Sequence, residues 1–238
     1  MSPVRLPDSR PHQYWKEILI MRFFSLDSPI MRFLTLVSEL MILNVIYVVT
    51  CIPVVTIGAA TSALYRTMLD KRYGLDAGVR KYFHFFAASF RQSTVRFLIC
   101  VLIGAMLVFD VWYTYTYQLP MQRFFVPAFL LLLTLLAMIS SWVLALTGQF
   151  NNTAKNTFKN AGLLALRHLP ASLLMVLRFV PLLLSFFSPG LFLVLSITFI
   201  LVYFAVIAYL AAGPLSKVFL KLMTPEEAAS RTESPEED

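Results

Sequence analysis

The chain has 238 residues, 58% hydrophobic and only 14% charged, with 20 Lys and Arg against 13 Asp and Glu for a net charge of +7. That composition leaves too little polar surface to wrap a soluble core, so it excludes an ordinary globular domain and implies an integral membrane protein. The positive excess follows from orientation in a bilayer and from anionic headgroups, and gives no argument for nucleic-acid binding.

The first eleven residues are polar and rich in proline. No short apolar core leads to a small-residue cleavage site, so no cleaved signal peptide is expected. From Pro11 to Phe24, Tyr14, Trp15, Ile18, Leu19 and Phe23 alternate with Lys16, Glu17 and Arg22, the pattern of a helix lying in the membrane interface. Ser28 and Pro29 read as N-cap and first helical residue of a spanning helix.

A span needs roughly 20 apolar residues, because a helix rises about 1.5 Å per residue through a core about 30 Å thick. Residues 32–52, 97–117, 124–147 and 190–212 meet that requirement. Residues 171–188 are shorter and carry Arg178, with Ser188, Pro189 and Gly190 forming a turn into the last span. Residues 54–69, after the break at Pro53, reach only about 24 Å as a helix.

The charges decide that marginal stretch, because Lys and Arg accumulate in cytoplasmic loops. If 54–69 crosses, eighteen of the 20 basic residues share one side, leaving Arg123 outside and Arg178 within the membrane. If it does not, Arg5, Arg10, Lys16, Arg22 and Arg32 sit outside, against the rule. The expected fold is therefore an all-α polytopic bundle, a single membrane domain over 1–222. It has six transmembrane helices, cytoplasmic interfacial helices and both termini inside, followed by an acidic, disordered tail over 223–238.

The cytoplasmic stretches Lys81 to Arg96 and Phe158 to Leu169 mix aromatic or apolar residues with basic ones, and each leads into a spanning hairpin. With the N-terminal stretch they suggest three units of interfacial helix plus hairpin, or a chance likeness among apolar sequences. Trp112, Tyr113, Tyr115 and Tyr117 mark the outer end of the 97–117 span as an interfacial belt. Thr224, Pro225, Glu226 and Glu227 form a helix-start signature ahead of the tail.

No phosphate-binding loop, zinc-protease motif, nucleophile elbow or dinucleotide turn is present. Cys51 and Cys100 lie in apolar segments, and His12, His84 and His168 are far apart. No catalytic residue, cofactor or metal site is expected. The unusual residues are polar ones inside the bilayer, where a charge costs about 2.5 to 3.5 kcal/mol on insertion scales. Glu39, Asn44, Asp110 and Arg178 form a candidate intramembrane network, read either as a buried pair that fixes packing or as a solute or proton path. Gly58 with Ser62 and Ala59 with Ala63 are spaced four apart, making one helix face flat enough for close approach. That face serves packing within the bundle or the docking of another membrane subunit.

The run FFSLDSPIMRFLTLVSELMILNVIYVVTCIPVVTIGAATSALY resembles the N-terminal part of the YesL family, the domain of unknown function numbered 624. The likeness rests on Phe23, Phe24, Asp27, Ser28, Pro29 and the stretch Pro53 to Ala59, and covers about Met21 to Tyr65. It implies a small membrane protein of the bacterial inner membrane without established catalytic residues. Its genes stand beside carbohydrate-degrading enzymes and sugar-type ABC importers. The expected function is thus a non-enzymatic accessory or regulatory role in carbohydrate uptake, with the lipid bilayer and ABC-importer subunits as partners and a homo-oligomer left open. A small independent solute transporter is the alternative. Asn160, Ala161, Gly162, Leu169 and Pro170 echo half of an importer coupling helix, and Glu227, Ala228 and Ala229 fall out of context in the tail, so convergence explains both.

Overall fold

The computed structural model describes residues 29–117 and 122–223. Among them every element is helical and none is a strand, so backbone polar groups are satisfied within segments, as a bilayer requires. In chain order these are α1 (Pro29–Thr50), a 3-10 turn (Val54–Thr56), α2 (Ile57–Arg72), α3 (Val79–Thr116) and α4 (Gln122–Gln149). Then come α5 (Ala154–Arg167), α6 (Leu169–Val176), a 3-10 turn (Leu177–Phe179), α7 (Val180–Phe187), α8 (Pro189–Thr198), a π-helical segment (Phe199–Tyr203) and α9 (Phe204–Leu220). The expected N-terminal interfacial helix, the Ser28 cap, residues 118–121 of the outer connection and the acidic tail from Thr224 lie outside the described residues.

Contacts divide the chain into a unit Met1–Leu40 and a unit Met41–Asp238. The described part of the first is the opening of α1, where Thr35 Oγ1 donates to the Met31 carbonyl at 2.9 Å and Ser38 Oγ to the Thr35 carbonyl at 2.8 Å. Such back-bonding lets hydroxyls sit on an apolar helix without an external partner. All the remaining described elements belong to the second unit.

Among the described residues four helices are long and apolar enough to cross a membrane: Ile30–Thr50, Val79–Thr116, Arg123–Gln149 and Pro189–Leu220. A fifth is reached if Ala154–Arg167 and Leu169–Ser185, bent by 105° at their junction, count as one broken span. The chain is a multi-pass membrane protein. The sixth expected span, 54–69, forms the 3-10 turn and most of the 16-residue α2, and is not among these helices.

α2 lies antiparallel to the first half of α3: Gly58 meets Ser93 and Phe97, Ser93 Oγ donates to Ser62 Oγ at 2.9 Å, and the Arg66 guanidinium lies 5.1 Å from the Phe85 ring centre. The middle of α2 also meets the last turn of α4, where Gly148 abuts Ser62. Thus α2 runs beside residues 85–97, ahead of the expected span 97–117, and under the end of the span 124–147. A second contact agrees: Thr50 and Tyr82, expected on opposite faces of the bilayer, hold their hydroxyls 2.7 Å apart.

Twelve of the 16 residues of α2 are buried, Gly58 through Tyr65 and Thr67 through Asp70, with α3, α4 and α9 packed around them. Helices come this close only where side chains are small. A Cβ on Gly58 would stand 2.5 Å from Phe97 Cβ and 2.7 Å from the Ser93 carbonyl oxygen; one on Gly148 would stand 2.5 Å from the Ser62 carbonyl oxygen.

α3 itself has 38 residues, about 57 Å at 1.5 Å per residue, nearly twice the apolar core. The aromatic stretch from Lys81 therefore continues into the span as one helix. At the other corner, Pro170 cannot extend α5 and the chain turns at His168. Ser172 Oγ lies 2.8 Å from the Ala165 carbonyl and 3.0 Å from that of His168, while buried Trp142 donates its indole N–H to Ser172 at 2.8 Å.

Gly58→Ala and Gly148→Ala should each destabilise the solubilised protein by about 1–3 kcal/mol through overpacking. Gly104→Ala, whose Cβ would meet only Leu136 Cδ2 at 3.5 Å, should be neutral or slightly stabilising. Reversible unfolding in mixed micelles separates the two classes.

Candidate functional site

Two helices lose their regular backbone in the second unit, and the groups they release converge. In the fifth apolar stretch, Pro181 has no N–H to offer the Leu177 carbonyl four residues earlier, and the chain tightens to 3-10 over Leu177–Phe179. The Leu177 oxygen takes the Val180 N–H instead, and the Tyr203 hydroxyl donates to it at 2.7 Å. Tyr203 closes the π-helical segment of the last span, so one broken helix repairs the other.

The π-helical segment has its own debt of unpaired groups, which Asn44 satisfies. Its carboxamide nitrogen donates to the Phe199 and Ile200 carbonyls at 2.9 and 2.7 Å, and its oxygen accepts the Ala205 N–H at 2.8 Å. The residue is wholly buried. An apolar residue of the same size would leave three backbone groups orphaned in an apolar interior.

Arg178 sits at the centre of the 3-10 turn. Its guanidinium carbon lies 4.7 Å from the Phe179 ring centre, and its side chain lines a small cavity with Tyr47, Thr61, Tyr65, Phe204 and Ile207. The volume, about 10 Å³, holds a single water-sized sphere. Arg178 faces the Tyr65 hydroxyl and lies within electrostatic reach of Tyr47, Cys51 and Cys100. Nevertheless its Nη1 is buried without a hydrogen-bond partner. Tyr47 is engaged elsewhere: Thr61 Oγ1 donates to the Ile57 carbonyl at 2.7 Å, so the Tyr47 hydroxyl at 3.2 Å donates to Thr61.

Within the second unit, Asn44, Asp110 and Arg178 of the expected network share no hydrogen bond or ion pair among the described residues. Asn44 serves the π-helical segment and Arg178 the cavity. Asp110, half-buried in the C-terminal half of α3, has no hydrogen bond or ion pair among the described residues, and Arg178 forms no ion pair with it. Glu39 belongs to the first unit, where its side chain is exposed. Gly58, Ala59, Ser62 and Ala63 are all buried inside the second unit.

Sequence reasoning missed the polar cluster where α4 ends. The last carbonyls of a helix have no partner within it and carry partial negative charge. Arg66 donates to the Gly148 and Gln149 carbonyls at 3.4 and 3.2 Å and pairs with Asp70 at 3.3 Å. Arg96, only 3% exposed, donates to Thr147 Oγ1 at 2.7 Å and to the Asn152 carbonyl. Further along α2, Arg72 stacks 4.5 Å from the Tyr209 ring centre, and burial lowers the Lys71 ammonium from its ordinary value. Both Arg66 and Arg96 read in sequence only as loop charges. Tyr47, Tyr65 and Tyr203 were equally silent, since an aromatic residue in an apolar segment looks the same whether or not its hydroxyl is used. Among the described residues no group of His, Cys, Asp and Glu is arranged to hold a metal ion.

Residues 40–111 match the family model described as a protein of unknown function, DUF624, under a third of the 238 residues. No curated protein and no solved structure matches the chain. The matched stretch contains Asn44, Tyr47, Tyr65, Arg66 and Arg96 but ends well before Arg178.

Replacing Asn44 by Leu should cost several kcal/mol, at roughly 1–3 kcal/mol for each orphaned backbone group. Tyr203→Phe removes a single donor and should cost about 1 kcal/mol. Both are read from unfolding midpoints in mixed micelles, and an Asn44→Leu variant as stable as the parent would contradict the repair of the π-helical segment.

Proposed function

We propose, starting from a chain that carries a DUF624 segment over residues 40–111, a non-enzymatic accessory or regulatory protein of the bacterial inner membrane that works beside an ABC-type sugar importer. The observation that carries this reading is the small Arg178 cavity of about 10 Å³, whereas pockets that accept small organic ligands run to roughly 300–1,000 Å³. A saccharide has no place there. The carbohydrate context comes from the family resemblance, and the partners are the bilayer and importer subunits, with self-association open.

The arrangement in the bilayer follows from the contacts of α2. Five crossings, with α2 packed beneath the inner ends of α3 and α4, agree with the bond between Thr50 and Tyr82 better than the six crossings favoured by charge alone. In that arrangement Arg66 and Arg96 remain on the inner side, α5 lies along the inner interface with Lys155, Lys159 and Arg167, and the start of α1 faces outward.

One observation favours the transporter alternative: two interrupted helices meeting at a charged residue are a recurring layout in secondary transporters. Two measurements distinguish the readings. Affinity purification from native membranes should retain permease subunits if the protein is accessory, whereas purified protein in liposomes should move a radiolabelled saccharide if it is a transporter. Recovery of the chain without any permease subunit would overturn the accessory role.

The topology is checked by cysteine labelling in a background lacking Cys51 and Cys100. With five crossings, Arg32→Cys reacts with an impermeant maleimide in intact spheroplasts and Leu75→Cys only after permeabilisation. With six crossings, neither reacts until the membrane is opened.

A further inference from the structure

We propose that the cavity at Arg178 binds a single monatomic anion of the size of chloride. A guanidinium held in a low-dielectric surrounding needs a counter-charge or a full set of acceptors, because an uncompensated buried charge is expensive. Neither is supplied among the described residues of the second unit. Their acidic side chains do not pair with Arg178, and Nη1 is buried without a hydrogen-bond partner.

One further donor faces the guanidinium. The Tyr65 hydroxyl faces it, and no carbonyl or carboxylate claims that hydroxyl. The remaining lining is apolar, from Leu64, Phe204, Ile207 and Ala208. A cation and a free hydroxyl donor around a space of about 10 Å³ suit an anion little larger than water, and exclude sulfate, phosphate or a carboxylic acid by size. The walls come from four separate stretches: Tyr47 on α1, Tyr65 on α2, Arg178 on its 3-10 turn, and Phe204 on α9. An ion held there would tie the two interrupted helices to α2.

The test is the chloride NMR linewidth of the purified full chain in detergent, against a detergent blank, with gluconate replacing chloride at constant ionic strength. The expected result is excess broadening that saturates, is displaced by bromide but not by sulfate, and disappears in Arg178→Gln. Tyr65→Phe should weaken binding roughly tenfold or more, the worth of one hydrogen bond to a charged group. If Arg178→Gln does not elute as a folded species, Arg178→Lys and Tyr65→Phe carry the comparison. Two results overturn the proposal: no excess broadening, which leaves only water in the cavity; or broadening unchanged in Arg178→Gln or, where that variant does not fold, in Tyr65→Phe.

Discussion

The closeness with which α2 is approached governs the second unit. Because Gly58 and Ser62 carry almost no side chain, the backbone of α3 comes within contact of α2 on one side. Because Gly148 carries none, the last turn of α4 does so on another. That proximity brings Arg66 within reach of the exposed carbonyls of α4 and places Thr61 and Tyr65 opposite α9. Small residues here are the condition for three longer helices to share one partner, and van der Waals packing supplies the association where lipid offers no hydrophobic drive between helices.

Around that centre, the irregular backbone is paired off group by group. Pro181 releases the Leu177 carbonyl and Tyr203 takes it; the π-helical segment releases the Phe199 and Ile200 carbonyls and Asn44 takes both. Ser172 meets the carbonyls where α5 turns into α6. Each repair is made by a side chain from another element, so the interruptions also fix which helices lie together. Arg178 departs from this pattern, a donor without a full set of acceptors at the point where both interrupted helices meet.

Positive charge and hydropathy describe α2 incompletely for related reasons. Hydropathy reports affinity for lipid, and a helix enclosed by protein has no need of it, so Gly, Ala, Ser and Thr suffice. The charge rule treats Arg66 and Arg96 as loop charges free to choose a side, yet both are committed to the end of α4. Asn44 was legible as unusual because an amide in an apolar helix demands partners. Which partners it has depends on an interruption at Phe199–Tyr203 that no glycine or proline within those five residues announces.

Composition by itself determined a helical multi-pass membrane protein, since so apolar a chain has no other way to satisfy its backbone in lipid. The apolar run lengths located the four long helices, and proline located the break at Pro53, because those properties act within one segment. Tertiary structure alone decided that α2 packs among α3, α4 and α9, that Asn44 serves the π-helical segment while Arg178 lines a cavity, and that Arg178 faces Tyr65. Those outcomes depend on which helix faces approach, and approach is set by small residues and orphaned carbonyls on different segments, a relation that spacing along one segment does not contain.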